Sequence, residues 1–215
     1  MNLASILISI PITLIALSGH ELAHAWVSSK LGDPTPAREG RLTMNPLAHL
    51  DLVGTILMIL TGFGWAKPVM VNPAYYKNQK EGMALVAAAG PISNLLMAFV
   101  GMLLWGIIYV ILVKCAVSSA MISTIAGIFQ LFAFRNLCFA VFNLIPIPPL
   151  DGSKVLGLFL PNRIYYTMLR YERYSMILIM VLSLSGVFGN IIGTGVNAIY
   201  GVIGGIVIKL VSVFL

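Results

Sequence analysis

The feature that most constrains this chain is the length of its apolar runs. Asn2 to about Ser29, Gly82 to Val113 and Ala120 to about Ile145 each exceed the roughly 20 residues a helix needs to cross a bilayer. Tyr174 to about Gly193 and Val196 to Leu215 reach the same length near the C-terminal end. Charged residues make up 9% of the 215-residue chain, against about a quarter in a soluble domain. In lipid, such segments must satisfy their backbone hydrogen bonds internally, which helices do. The sequence predicts an all-α membrane protein. It reads as a polytopic bundle of about five to six transmembrane helices, with a short β-hairpin or re-entrant element after the first.

The loops give the topology. Lys30, Arg38 and Arg41 precede a short apolar segment, Leu50 to Leu60, and Lys67, Lys77 and Lys80 follow it. With cations on both sides, that segment dips in and returns on one face. Arg41 to Met44 reads as a short strand closed by Asn45-Pro46, and the polar stretch Arg38 to Met44 offers an edge that an unwound peptide can join. The run Phe63 to Pro68 reads as an interfacial anchor and turn. Lys114 stands alone in an outer loop. Lys154, Arg163, Arg170 and Arg173 mark a cytoplasmic one. The net charge of +6 thus fits lipid headgroups, and no nucleic-acid partner is expected. Cys115 and Cys138 are too few and too far apart for a disulfide framework or a metal site. The first apolar run has no basic leader or cleavage pattern and reads as a retained span. The whole of 1–215 reads as one membrane domain, with a core of about 1–155 and C-terminal helices over 156–215.

Within the first span lies His20-Glu21-Leu22-Ala23-His24. Residues four apart share a helix face, so both imidazoles can meet one metal ion, with Glu21 close enough to handle a proton from bound water. Two buried, hydrogen-bonded histidines are the bland alternative, but ionisable groups at membrane depth usually mark function. A catalytic zinc takes a third protein ligand, for which His49, Asp51 and Asp151 are candidates. The charge pattern puts Asp151 level with the histidines, after the proline-broken stretch Pro146 to Pro149. As a ligand or as a helix N-cap it is equally plausible on spacing. His49 and Asp51 suit a second shell or a cap better. Asn143 can hold a substrate carbonyl or bond a neighbouring helix. Asn94, with Gly90 and Pro91, reads as close helix packing, and Arg135 as a paired or snorkelling cation.

Three separated stretches together resemble the site-2 protease family of intramembrane zinc metalloproteases. They are His20 to His24, Gly90-Pro91-Ile92-Ser93-Asn94, and Asn143 through Asp151-Gly152. Arg41 to Leu47 and Phe63 to Pro68 resemble its compact prokaryotic branch. The resemblance implies one Zn2+ per chain held by His20, His24 and Asp151. It implies Glu21 as general base and Asn143 as a catalytic helper at the tetrahedral intermediate. The implied activity is hydrolysis of transmembrane or membrane-associated protein substrates near the cytoplasmic side of a multi-pass prokaryotic cell membrane protein. The lipid bilayer is its partner, and a homo-oligomer is compatible with it. A metal-ion transporter would show a polar path across several helices, whereas the polar residues here cluster toward one side. An inactive scaffold would have no need of Glu21.

Overall fold

The computed structural model describes residues 3–51, 54 and 67–214. The described chain is almost wholly helical: α1 (Leu3–Lys30), α2 (Thr35–Arg38), α3 (Gln79–Lys114), α4 (Ser119–Asn143), α5 (Asp151–Gly157), α6 (Asn162–Arg170), α7 (Glu172–Leu184) and α8 (Val187–Val211). Four stretches are long and apolar enough to cross a membrane: Leu7–Lys30, Gln79–Lys114, Ser119–Asn143 and Val187–Val211. The helices α1, α3 and α4 that carry the first three begin and end within three residues of the runs read from the sequence. Pro11 is accommodated inside α1.

The C-terminal end differs from the expectation of two spans there. Glycine-rich 193–195 was the expected break, but those glycines lie inside α8. The interruption falls instead at Gly186, which adopts φ 78°, a left-handed conformation open to glycine without penalty. The preceding α7 has 13 residues, about 20 Å of rise, short of the roughly 30 Å hydrocarbon thickness. Four candidate spans among the described residues therefore replace the expected five to six.

The hairpin is also absent. Among the described residues there is no strand, only a single bridge at Leu50. Arg41 to Met44 turns instead of extending, because its polar side chains serve local backbone. Thr43 Oγ1 accepts from Asn45 N, and Asn45 Oδ1 accepts from Leu47 N at the head of a 3-10 turn, Pro46–Ala48. Arg41 is buried and donates to the carbonyl of Ala48. Most of the expected re-entrant segment, and most of the run from Phe63, lie outside the described residues. Their flanks are joined: Lys67 N donates to His49 O at 2.9 Å.

The chain forms two compact units. The first comprises Met1–Ala16, Asn94–Phe142 and Leu182–Leu215. Its core is aliphatic, with Ala98, Met102, Ala133, Leu137, Val196 and Val207 buried. Glycines bring helices close: a Cβ at Gly101 would meet the Phe132 ring at 2.7 Å, and one at Gly106 would meet Val211 at 2.7 Å. Asn94 and Asn136 are fully buried; Asn94 Nδ2 donates to Asn136 Oδ1 at 2.9 Å and to Ala16 O at 3.1 Å. That satisfies the packing role expected of Asn94 and ties α1, α3 and α4 together.

The second unit comprises Leu17–Ser93 and Asn143–Val181. All seven Asp and Glu residues fall in it. Buried Asp33 accepts from Ser28 Oγ (2.8 Å), Thr35 N (2.9 Å) and Asn72 N (2.7 Å), and Ser28 Oγ pairs with Tyr76 OH at 2.8 Å. This cluster fastens the segment around Asn72 to the end of α1.

Candidate metal centre

His20 and His24 lie one turn apart on α1, so helix geometry alone aims both rings the same way. Asp151 opens α5, where the chain leaves the Pro146–Pro149 stretch. The N-cap position belongs to Leu150, so Asp151 is free of the capping role the sequence left open. Its carboxylate completes a triangle. His20 Nε2 and His24 Nε2 stand 3.0 Å apart, and Asp151 Oδ2 is 3.2 Å from each.

The triangle's size tests the fit to a metal. Zinc at about 2.0–2.1 Å from N and O ligands in tetrahedral array sets those ligands about 3.3 Å apart. Edges of 3.0–3.2 Å match, and two imidazoles with one carboxylate form a donor set suited to zinc. The three residues could therefore hold the ion and leave a fourth position open. Burial pushes the Asp151 carboxyl up. Hydrogen bonding and charge from His20 and His24 outweigh it and hold the group well below the usual carboxylate range, so it stays ionised.

Neighbouring backbone orients the rings. His24 Nδ1 lies 2.7 Å from Val86 O on α3. A carbonyl only accepts, so Nδ1 carries a proton, and in the neutral ring Nε2 then presents its lone pair to the triangle. The rings of His20 and His24 meet edge to face at 4.6 Å. Both rest against Gly90. A Cβ there would sit 2.5 Å from His20 Cε1 and 2.5 Å from His24 Nε2, so any side chain displaces the imidazoles. Gly152 serves a similar end, since a Cβ would lie 2.2 Å from Leu144 O; it permits close approach of α5 to that backbone.

Glu21 is buried next to His20, and its Oε2 accepts from Val69 N at 3.2 Å. Asn143 ends α4, half-buried, eight residues before Asp151. The other two ligand candidates stand apart from the triangle. His49 Nε2 donates to Thr43 O at 2.9 Å and anchors the 41–49 loop. Asp51 Oδ1 accepts from Gly54 N at 2.8 Å, the capping pattern that the sequence favoured. Sequence reasoning did not find the Val86 carbonyl, the Val69 amide or the metal-side role of Gly90. The Gly90-Pro91 pair inside a span was the one visible signal.

A helical, multi-pass membrane protein with a His-His-Asp triangle and an adjoining glutamate falls in the class of intramembrane zinc metalloproteases. Residues 104–187 match the model of Peptidase family M50. A Bacillus subtilis protein named "Putative zinc metalloprotease YwhC" is 37% identical over 189 residues, covering 86% of this chain and 84% of its own. A Methanocaldococcus jannaschii protein of the same description is 34% identical, covering 71% of this chain and 72% of its own. "Putative zinc metalloprotease Rip2" of Mycolicibacterium smegmatis is 31% identical over 66% of this chain and 53% of its own length. No solved structure matches. The chain belongs to Peptidase family M50, the site-2 proteases, and zinc is its implied metal.

Proposed function

We propose that this chain hydrolyses peptide bonds of transmembrane or membrane-associated proteins near the cytoplasmic side of a prokaryotic cell membrane. It acts as one catalytic domain and holds one zinc ion at His20, His24 and Asp151. The observation that carries this reading is the His20-His24-Asp151 triangle, with Glu21 beside it on α1. When bound, zinc supplies Lewis acidity, lowering the pKa of bound water toward ~7 and polarising a carbonyl.

The chain's own groups do the rest. Val86 fixes the tautomer of His24, and Gly90 fixes where both rings sit. Glu21, its carboxylate held by the Val69 amide, takes the proton of the attacking water and later passes it to the leaving amine. Asn143 donates its side-chain amide to the substrate's carbonyl oxygen as charge develops there. The cytoplasmic placement rests on the cations flanking these residues, Lys30, Arg38 and Arg41 after α1 and Lys154 and Arg163 after α4. Cleavage of a model transmembrane substrate by the purified chain in detergent tests the reading. Zinc-dependent cleavage that Glu21→Gln abolishes is the expected result, and equal cleavage by the variant overturns it.

A further inference from the structure

Between α5, which opens with Asp151, and α7 lies α6, nine residues long, Asn162–Arg170. At helical spacing Ile164, Tyr165, Met168 and Leu169 share one side, while Arg163, Thr167 and Arg170 form a stripe on the other. The apolar side is only partly covered by protein. Tyr165 is buried in the space left by Gly157, where a Cβ would come within 2.4 Å of its ring. Ile164, by contrast, is 53% exposed, and the approach to the helix carries Phe159 at 77%. Tyr166 and Tyr171 are exposed as well.

The polar side is equally unmatched. Arg163 and Arg170 are exposed, and neither is in an ion pair among the described residues. From Gly152 to Leu215 the sequence holds one acidic residue, Glu172, against Lys154, Arg163, Arg170, Arg173 and Lys209. Aliphatic and aromatic groups on one side and arginines on the other suit one environment: the boundary between acyl chains and headgroup phosphates. An acidic soluble partner or free phosphate would match the arginines, but would leave Phe159 and Ile164 in water.

We propose that α6 is a membrane-surface element that seats on anionic phospholipid, with Arg163 and Arg170 binding headgroup phosphates. The seating reaches back toward the metal residues. Tyr165 locks α6 to Gly157 on α5, and Lys80, at the start of α3, donates to Leu160 O and lies 5.8 Å from the Tyr165 ring centroid. A lipid-anchored α6 thus holds the helix that Asp151 opens.

The test uses the full chain in nanodiscs of phosphatidylcholine alone or with phosphatidylglycerol, read by amide hydrogen exchange across α6. This readout does not depend on protease activity, so its failure is separate from failure of the proposed reaction. Phosphatidylglycerol should slow exchange in α6 and leave the core of α3 and α4 unchanged. Arg163→Gln and Arg170→Gln should each weaken the dependence on anionic lipid about fivefold, while Arg163→Lys and Arg170→Lys retain it. Unchanged α6 exchange on adding phosphatidylglycerol overturns the proposal. So does protection by inorganic phosphate in phosphatidylcholine discs, which would mark a soluble-anion site, or glutamine variants that keep the full lipid response.

Discussion

Asp33 and Asp151 are both buried carboxylates of the same compact unit, and their surroundings differ in kind. Asp33 is met by a hydroxyl and two backbone amides, all donors, so its charge is satisfied within the chain. Burial pulls its pKa up, but the bonds from Thr35, Asn72 and Ser28 prevail and hold it below the ordinary value. Asp151 faces two imidazole nitrogens, one of which presents a lone pair by virtue of its bond to Val86. A carboxylate ringed by hydrogens is a fastening. One set within 3.2 Å of two imidazole nitrogens forms a donor set that could close on a cation. The same side chain thus reports structure in one place and chemistry in the other.

The same substitution should separate the two. Asp151→Asn should strip zinc from the purified protein and cut cleavage by about a thousandfold or more, the several kcal/mol a catalytic metal supplies, leaving folding near wild type. Metal analysis beside a cleavage assay checks it. Retained zinc at wild-type stoichiometry would sink the ligand assignment. Glu21→Gln should lower cleavage about 10²–10⁴-fold with zinc retained, marking proton transfer apart from metal binding. Gly90→Ala comes next. The added methyl displaces both rings, so zinc affinity should fall about 10–100-fold in a chelator titration.

Asp33→Asn should do the reverse of Asp151→Asn. Thermal unfolding should show a loss of about 1–3 kcal/mol, with zinc content intact. The smallest effect is its pH dependence. Because the folded-state pKa of Asp33 lies below the unfolded value of about 3.9, its contribution is complete above that value and lost as pH falls through the folded one. The stability gap between wild type and Asp33→Asn should therefore be widest at neutral pH and narrow in acid. A gap that widens on acidification would break the comparison.

What the sequence could reveal follows from which forces are local. Three spans were legible because crossing a bilayer fixes their length and leaves few alternatives. The break at Gly186 was not, since glycine is common inside membrane helices and six others lie within α8 without ending it. The expected strand at Arg41–Met44 failed because Thr43 and Asn45 spend their side chains on nearby amides, a competition that β-propensity ignores. In the site, the spacing of His20 and His24 carried its own geometry. Asp151 is 127 residues beyond His24, so spacing left it undecided between ligand and cap, and only the resemblance favoured the first. The Val86 carbonyl and Val69 amide were invisible in principle, because every residue but proline offers both groups.

Gly90 gives the centre a wall that has no torsion of its own. A ring backed by a side chain can be released when that side chain flips, whereas His20 and His24 lean on the peptide backbone of α3, with Pro91 the next residue along. The two imidazoles are therefore bounded on one side by backbone, while the turn of α1 sets their own spacing. A shift of that backbone would reach both rings at once, where a rotamer change would free only one.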